Sequence, residues 1–176
     1  MKWNQNLILE KLFSTAKRLS DYEKNNGKPI FYRAAGGRHI NEITDYTTNT
    51  SAEKNIKVDY TKQIGLCLSS TIFWFYQQVF TDGLNLKSAE IKSFPLPDFS
   101  KLNKGTLKEM SELYQRYLVD MEAKANIRTT SGESTYNVDS FKEYKIVRSI
   151  SIIDEIDNYI CPLYGLTPVE TDFVKD

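Results

Sequence analysis

Hydrogen-bonding and basic side chains surround a glycine pair, Gly36-Gly37, in the first third of the sequence. Arg forms paired hydrogen bonds with guanine and Asn with adenine, whereas Thr contacts bases or phosphates and Lys neutralises phosphates. Residues 27–62 therefore predict a nucleic-acid-contacting surface, although an ordinary solvated hairpin and loop explains their composition equally well. The candidate contact residues are Tyr32, Arg33, Arg38, His39, Thr47, Asn49, Lys54, Lys57 and Lys62.

The sequence offers little material for catalysis. It contains a single histidine, His39, and neither a Gly-x-Gly-x-x-Gly motif nor a phosphate-binding Gly-x-x-x-x-Gly-Lys-Ser/Thr motif. Asp120, Glu122 and Lys124 come closest to a nuclease constellation, but they fall on one predicted helix, where residues two apart do not face each other. The sequence therefore indicates a chain without a reaction centre, and we expect neither a metal nor a cofactor in it.

The composition suits one domain with a sizeable aromatic core, or a compact domain with a helical appendage. Of 176 residues, 40% are apolar and 12% aromatic, and no apolar run is long enough to span a membrane. Cys67 and Cys161 lack metal-site spacing and are expected to be buried free thiols, as in a reducing cytoplasm. The net charge is zero, but residues 1–66 hold 11 basic against 7 acidic residues. This imbalance would allow the first part to face a polyanion.

Apolar periodicity predicts an α+β fold. Ile30–Arg33 and His39–Ile43 are predicted to pair as a hairpin, and this small mixed or antiparallel sheet is expected to pack on a long central helix. We expect a mixed part over residues 1–100 and a helical spacer over residues 101–176, in which residues 126–140 are polar and mobile. Other predicted elements are a strand over Asn55–Tyr60, helices over Leu7–Glu23, Thr61–Phe80, Lys87–Ser93, Thr106–Ala125 and Val147–Ile160, and a last helix that begins at Pro168.

An ordered connection, TDGLNLKSAEIKSFPLPD, joins the central helix to the next long helix. It turns at Asp82-Gly83, forms a short helix, and leaves through Phe94-Pro95-Leu96-Pro97, where the prolines enforce an extended backbone. This succession resembles the end of a target recognition domain in bacterial restriction–modification proteins, including type I specificity subunits. The segments FYRAAGGRHINEITDYT and SIIDEIDNYICPLYGLTPVETDFVKD are similar to the hairpin and closing helices of the C-terminal recognition domain in fused type II restriction–methylation enzymes.

The resemblance spans most of residues 7–176 and is structural rather than catalytic. It implies a module that positions double-stranded DNA for an S-adenosylmethionine-dependent adenine methyltransferase, often accompanied by a nuclease, on the same polypeptide or in the same complex. The chain has no Asn-Pro-Pro-Tyr or Asp-Pro-Pro-Tyr motif, so we expect a C-terminal piece of a larger enzyme that holds S-adenosylmethionine and Mg²⁺ elsewhere. In this interpretation Arg38, His39 and Asn49 contact base edges, the lysines contact phosphates, and the Pro-x-Pro connection is a rigid joint.

Two alternatives remain open at this stage. The aromatic-rich helices within residues 106–160 would serve equally as a docking module for methyltransferase or nuclease domains, without any base contact. The chain would also fit a fragment of a type I specificity subunit. Added salt separates DNA binding from apolar docking, because only the first weakens steeply with salt. Each interpretation predicts a cytoplasmic protein without a membrane partner.

Overall fold

A computed structural model describes residues 2–35, 42–50, 52–82, 85–129 and 140–176. The described residues form the predicted α+β fold, with seven α-helices and three small antiparallel sheets. The helices are α1 (Lys2–Phe13), α2 (Thr61–Leu68), α3 (Thr71–Phe80), α4 (Ser88–Lys92), α5 (Lys104–Ala123), α6 (Ile150–Ile160) and α7 (Pro168–Lys175). The strands are β1 (Lys17–Arg18), β2 (Glu23–Arg33), β3 (Ile43–Thr44), β4 (Glu53–Val58), β5 (Pro95–Leu96), β6 (Asn126–Thr129) and β7 (Ser140–Glu143).

The largest sheet has three strands in the order β3-β2-β4, and both pairings are antiparallel. The predicted hairpin is confirmed in part, since Tyr32 of β2 lies opposite Ile43 of β3. β3 covers Ile43–Thr44 rather than His39–Ile43, and residues 39–41 of the predicted strand lie outside the described residues. Side chains alternate between the two faces of a strand, and one face of this sheet is apolar and buried. This inner face consists of Ile30, Tyr32, Ile43, Ile56 and Val58.

Helix α2 is the centre of the fold, because it contacts β2, β3, α3, α5 and α6. Gly65 permits the close approach of α5, since a Cβ at this position would lie 2.5 Å from the Tyr114 ring. The Tyr114 hydroxyl in turn donates to the Ile43 carbonyl oxygen at 3.1 Å, which ties α5 to the sheet. Residues on both sides of position 100 therefore contribute to one hydrophobic core.

The predicted central helix over Thr61–Phe80 is in fact two helices, separated at Ser69-Ser70. Both serine hydroxyls donate to backbone carbonyl oxygens, Ser69 to Gly65 at 2.7 Å and Ser70 to Cys67 at 2.6 Å. Such local side-chain bonds offer the backbone an alternative to a continuous helix. The chain therefore bends after α2 and restarts as α3.

The N-terminus of α3 is capped by a carboxylate from a distant part of the chain. Asp157 of α6 accepts hydrogen bonds from the Thr71 N–H at 2.7 Å and from the Thr71 hydroxyl at 2.5 Å. The Asp157 side chain is 0% exposed. Burial raises its pKa to about 6, although the two hydrogen bonds from Thr71 act in the opposite direction. This buried carboxylate joins α3 to α6.

The first helix ends earlier than predicted, at Phe13 rather than Glu23. The hydroxyls of Ser14 and Thr15 donate to carbonyl oxygens of its last turn at 2.7 and 3.0 Å. These carbonyl oxygens would accept backbone N–H groups if the helix continued. The chain then enters β1, which pairs with β5. Asn25-Asn26-Gly27 lies in an irregular stretch of β2 and does not end a helix.

The Pro-x-Pro connection is buried, and the carbonyl oxygens of both prolines accept hydrogen bonds from distant tyrosines. The Tyr164 hydroxyl donates to the Pro95 carbonyl oxygen at 2.8 Å, and the Tyr22 hydroxyl donates to the Pro97 carbonyl oxygen at 2.6 Å. Burial raises the pKa of Tyr22 to about 12. The predicted short helix before the connection is present as α4. The connection is therefore held in place by distant parts of the chain.

The C-terminal part is not purely helical, because β6 and β7 pair there. β6 lies in the segment 126–140 that is predicted to be mobile, and β7 begins at the last residue of that segment. Residues 130–139 of that segment lie outside the described residues. Helix α5 begins and ends two residues before its predicted bounds. The predicted start of the last helix is confirmed, since Pro168 opens α7 and the Thr167 hydroxyl accepts the Glu170 N–H at 3.3 Å.

The two cysteines are buried free thiols, as predicted, and burial raises the pKa of Cys67 and of Cys161 to about 12. A thiol with so high a pKa stays protonated near neutral pH and packs as a small apolar group. No helix in the described part of the chain is long and apolar enough to cross a membrane.

Candidate nucleic-acid interface

Two of the predicted contact residues, Arg33 and Lys57, are exposed on the outer face of the three-stranded sheet. Arg33 pairs with Glu53 and Lys57 with Pro29 across β2 and β4, and residues an even number of positions apart share a face. Four strand positions separate the two cations, which corresponds to roughly 13 Å along the sheet. This distance is close to the ~12 Å width of the DNA major groove.

Tyr32 and Lys54 lie opposite each other and belong to the inner face of the same sheet. Tyr32 is only 2% exposed, and burial raises the pKa of its hydroxyl, which lies beside Ser88. Tyr32 is therefore a core residue and not the predicted DNA contact. Its alternation with Ile30 is the signal that reveals this role. Lys54 remains exposed, but it leaves the sheet from the face opposite to Arg33.

Lys62 borders a groove of about 640 Å³ between the start of α2 and the β2–β4 pair. Lys28 lines the same groove, together with Asp45, Asp59 and Tyr60. Tyr60 precedes α2 with a φ of 52°, in the left-handed region that non-glycine residues seldom adopt. The groove brings two lysines together with two carboxylates, so its charges largely balance.

The cations around the sheet differ from those elsewhere in having few partners. Of the six described lysines and arginines between residues 23 and 62, Lys24 alone forms an ion pair with a described residue, Asp59 at 2.9 Å. We call the other five the sheet cations, and they are Lys28, Arg33, Lys54, Lys57 and Lys62. A cation without an internal partner keeps its attraction for a phosphate, because no ion pair has to be broken first.

The loop after β3 carries Thr47 and Asn49, and Glu53 at the start of β4 organises it. The Glu53 carboxylate accepts hydrogen bonds from the Thr47 hydroxyl at 2.5 Å, the Thr48 N–H at 2.6 Å and the Thr48 hydroxyl at 2.8 Å. Burial acts to raise the pKa of Glu53, but the hydrogen bonds from Thr47 and Thr48 outweigh it and leave the pKa below its ordinary value. Glu53 therefore faces Arg33 across the strands while its oxygens are engaged with the loop.

A second carboxylate, Glu122 at the end of α5, holds the beginning of the same loop. Its Oε1 accepts hydrogen bonds from the hydroxyls of Tyr46 at 2.7 Å and Tyr144 at 2.6 Å, and its Oε2 accepts one from the Lys142 ammonium at 2.8 Å. Burial and the bond to Glu122 raise the pKa of Tyr46 and of Tyr144. Glu122, which the sequence offered as a weak nuclease candidate, is therefore an anchor between the loop and β7.

Glu42, just before β3, is a carboxylate in the neighbourhood of Arg33. Burial raises the pKa of Glu42, while a hydrogen bond with Thr48 and the positive charge of Arg33 oppose that rise. Its Oε1 is buried and has no hydrogen-bond partner among the described residues. Arg33 thus acts on Glu42 through its charge without pairing with it.

Arg38 and His39, which were predicted to contact base edges, lie outside the described residues. Within the described ranges, no group of His, Cys, Asp and Glu side chains is arranged to hold a metal ion. Comparisons of the chain with models of protein families, with curated proteins and with solved structures found no match. The function of this surface is therefore inferred from its own geometry and charge.

Proposed function

We propose that this chain is the DNA target-recognition module of a restriction–modification system, and that the outer face of the sheet and the loop before β4 contact duplex DNA. In this proposal the chain has no catalytic role of its own. It places DNA for adenine methylation, and in some systems cleavage, by domains that lie outside this sequence and hold S-adenosylmethionine and Mg²⁺. It acts in the cytoplasm, where free thiols such as Cys67 and Cys161 stay reduced.

The observation that carries the proposal is the pair of exposed outer-face cations, Arg33 and Lys57, which have no ion-pair partner among the described residues. Phosphate contacts by lysine and arginine supply most of the affinity of a protein for duplex DNA, whatever its sequence. Arg33 and Lys57 lie on one face at a spacing that suits the two sides of a groove. Thr47 and Asn49 are exposed on the loop that Glu53 holds at the Arg33 end of the sheet, and their side chains are of the kinds that read bases.

A salt titration of DNA binding tests this proposal. Binding of the 176-residue chain to a fluorescent duplex of roughly 20 base pairs is followed by anisotropy between about 50 and 200 mM NaCl. If the two outer-face cations, Arg33 and Lys57, contact phosphates, log K should fall against log salt with a slope of about −2. Because the net charge is zero, the affinity itself should lie in the non-specific range of roughly 10⁻⁴ to 10⁻⁶ M. Absence of binding at the lowest salt would contradict the proposal.

Exposed apolar side chains favour a second candidate function, docking onto another protein domain. Val119, Ile127, Val147 and Ile150 are 61%, 75%, 69% and 48% exposed and lie on or near α5 and the start of α6. Such a surface would bind a partner with little dependence on salt. Val147→Asp should abolish this docking and leave DNA binding unchanged, so the two functions are separable in one set of variants.

A further inference from the structure

The loop Tyr46–Asn49 is fixed at both ends by carboxylates that lie outside it. At its end, Glu53 accepts three hydrogen bonds from Thr47 and Thr48, all between 2.5 and 2.8 Å. At its beginning, Tyr46 donates to Glu122 at 2.7 Å. A loop with this many charge-assisted hydrogen bonds is held in one conformation more firmly than an ordinary surface loop.

Asn49 occupies the exposed tip of this loop in an unusual backbone conformation. Its φ is 58°, in the left-handed region, which Asn tolerates better than most residues. The Asn49 N–H donates to the Thr47 hydroxyl oxygen at 3.2 Å, and that hydroxyl is itself bound to Glu53. The Asn49 carboxamide Oδ1 also lies 3.2 Å from Thr47 Oγ1. The conformation of Asn49 therefore depends on Glu53 through Thr47, while its exposed side chain keeps the NH₂ group and the second lone pair of Oδ1 outside that contact.

We propose that Glu53 is a positioning residue, which holds the loop so that the Asn49 carboxamide reads an adenine-containing base pair in the major groove. Asn has the donor and acceptor pair that matches the major-groove edge of adenine. The inference rests on the proposed function and adds to it the residue that sets specificity and the residue that orients it. Glu53 itself touches no base, since its oxygens are occupied by Thr47 and Thr48.

Glu53→Gln is the variant that isolates this role. Gln keeps the shape of Glu but replaces one acceptor oxygen by a donor NH₂ group, which cannot accept the Thr48 hydrogen bonds. Glu23→Gln is the matched control, because it makes the same change in charge on the neighbouring strand β2, where Glu23 contacts Lys92 instead of the loop. Should Glu53→Gln fail to fold, the double variant Thr47→Val with Thr48→Val removes the hydroxyl donors and leaves the carboxylate.

The probes are a pool of duplexes with a randomised central segment and a single duplex of fixed sequence. Sequencing of the bound pool reports base preference, and anisotropy on the fixed duplex reports sequence-independent affinity and its salt dependence. Amide hydrogen exchange at Thr48 reports whether the loop is held. For the wild type we expect enrichment of an A·T pair at one position at least. Asn49→Ala and Glu53→Gln should both reduce that enrichment about fivefold or more, the discrimination of one paired contact.

The remaining readouts separate positioning from a general loss of structure. Glu53→Gln should accelerate Thr48 exchange yet keep the salt slope on the fixed duplex, whereas Lys57→Ala should lower that slope by about one and keep the base preference. Faster exchange with unchanged base preference in Glu53→Gln would overturn the role of Glu53 and leave DNA binding intact. Wild-type binding without any base preference would overturn the inference but not the DNA contact. Failure of the wild type to bind either probe would overturn both.

Discussion

The sheet region and the C-terminal region use their charged side chains in different ways. From Lys104 onward, seven of the nine described lysines and arginines form ion pairs. Between residues 23 and 62, only one of the six described cations does so. Exposed ion pairs add little stability. A greater need for stability in the C-terminal region therefore does not explain why more of its cations form ion pairs. Among the described residues, the sheet is therefore the region whose cations mostly lack internal ion pairs, as the proposed DNA contact requires.

A carboxylate from each region also shows a difference in role. Asp157 is fully buried and joins α3 to α6. Glu53 instead uses its hydrogen bonds to shape an exposed loop beside Arg33. Asp157 therefore stabilises the packing of two helices, whereas the partly exposed Glu53 sets the geometry of a surface loop.

The largest expected effect tests whether the two regions are one folding unit. Phe94 is 0% exposed and its ring packs edge-on against Phe73 and Tyr76, with centroids 4.8 and 5.2 Å apart. Phe94→Ala should lower the free energy of unfolding by about 3–5 kcal/mol, because it leaves a cavity in the shared core. Chemical denaturation followed by both fluorescence and circular dichroism should show one coincident transition. Two separate transitions would mean that the regions fold independently. Phe13 is 37% exposed, so Phe13→Ala is the control and should lower the free energy of unfolding by less.

A pH titration of Asp157→Asn tests the structural role of the buried carboxylate. The folded pKa of Asp157 is about 6, above its ordinary value of 3.8. The stabilising contribution of this group is therefore fully present below about pH 4 and is lost as pH rises through 6. The loss corresponds to roughly 3 kcal/mol, at 1.36 kcal/mol per pKa unit. The stability of Asp157→Asn relative to the wild type should increase by that amount over this window.

A related variant sharpens the Asp157 prediction. Thr71→Val removes the hydroxyl that donates to Asp157 and keeps the N–H. Because that hydrogen bond favours the charged carboxylate, its removal should raise the pKa further and enlarge the loss of stability with pH. A pH-independent difference between Asp157→Asn and the wild type would contradict the account of the buried charge.

A smaller effect is expected where α2 and α5 cross. A Cβ at Gly65 would lie 2.5 Å from a buried Tyr114 ring, so Gly65→Ala should reduce the free energy of unfolding by about 1–3 kcal/mol. Gly105→Ala is the matched control in α5, since its Cβ would meet only Asn103 Oδ1 at 3.1 Å. Thermal unfolding of both variants checks the prediction, which fails if Gly65→Ala is as stable as Gly105→Ala.

The smallest effect concerns an exposed ion pair of the helical region. A guanidinium nitrogen of Arg116 lies 2.9 Å from a carboxylate oxygen of Glu155, and the two side chains are 60% and 51% exposed. Arg116→Ala should change the free energy of unfolding by less than about 1 kcal/mol, because solvent screens the pair. A larger loss in urea denaturation would show that the paired cations of this region are structurally required, and the contrast with the sheet would need another explanation.

Local sequence signals account for much of the fold. The Thr167-Pro168 start of α7, the periodicity of α5 and the β2–β3 pairing all depend on neighbouring residues, and the structure agrees with each prediction. The errors arise where distant residues decide the outcome. Asp157 caps α3 from across the molecule, and β5 draws Lys17–Arg18 into a strand, so neither helix continues as its periodicity suggests.

The candidate site was only partly predictable for the same reason. Arg33, Lys54, Lys57 and Lys62 are exposed as expected, because charged residues avoid burial. Tyr32 was misplaced although strand alternation marks it as a core position. The roles of Glu53 and Glu122 depend on hydrogen bonds to a loop whose shape no local pattern specifies. These are contacts between separate elements, which sequence spacing alone does not reveal.

Two matched double variants test the central claim most directly. Arg33→Ala with Lys57→Ala removes the two cations of the outer face, and Arg116→Ala with Lys108→Ala removes the same residue types from exposed ion pairs. Both double variants change the net charge equally. In the salt titration with duplex DNA, the first double variant should reduce the slope by about 2 and the second should leave it unchanged. Equal slopes for the two double variants would contradict the assignment of DNA contact to the outer face of the sheet.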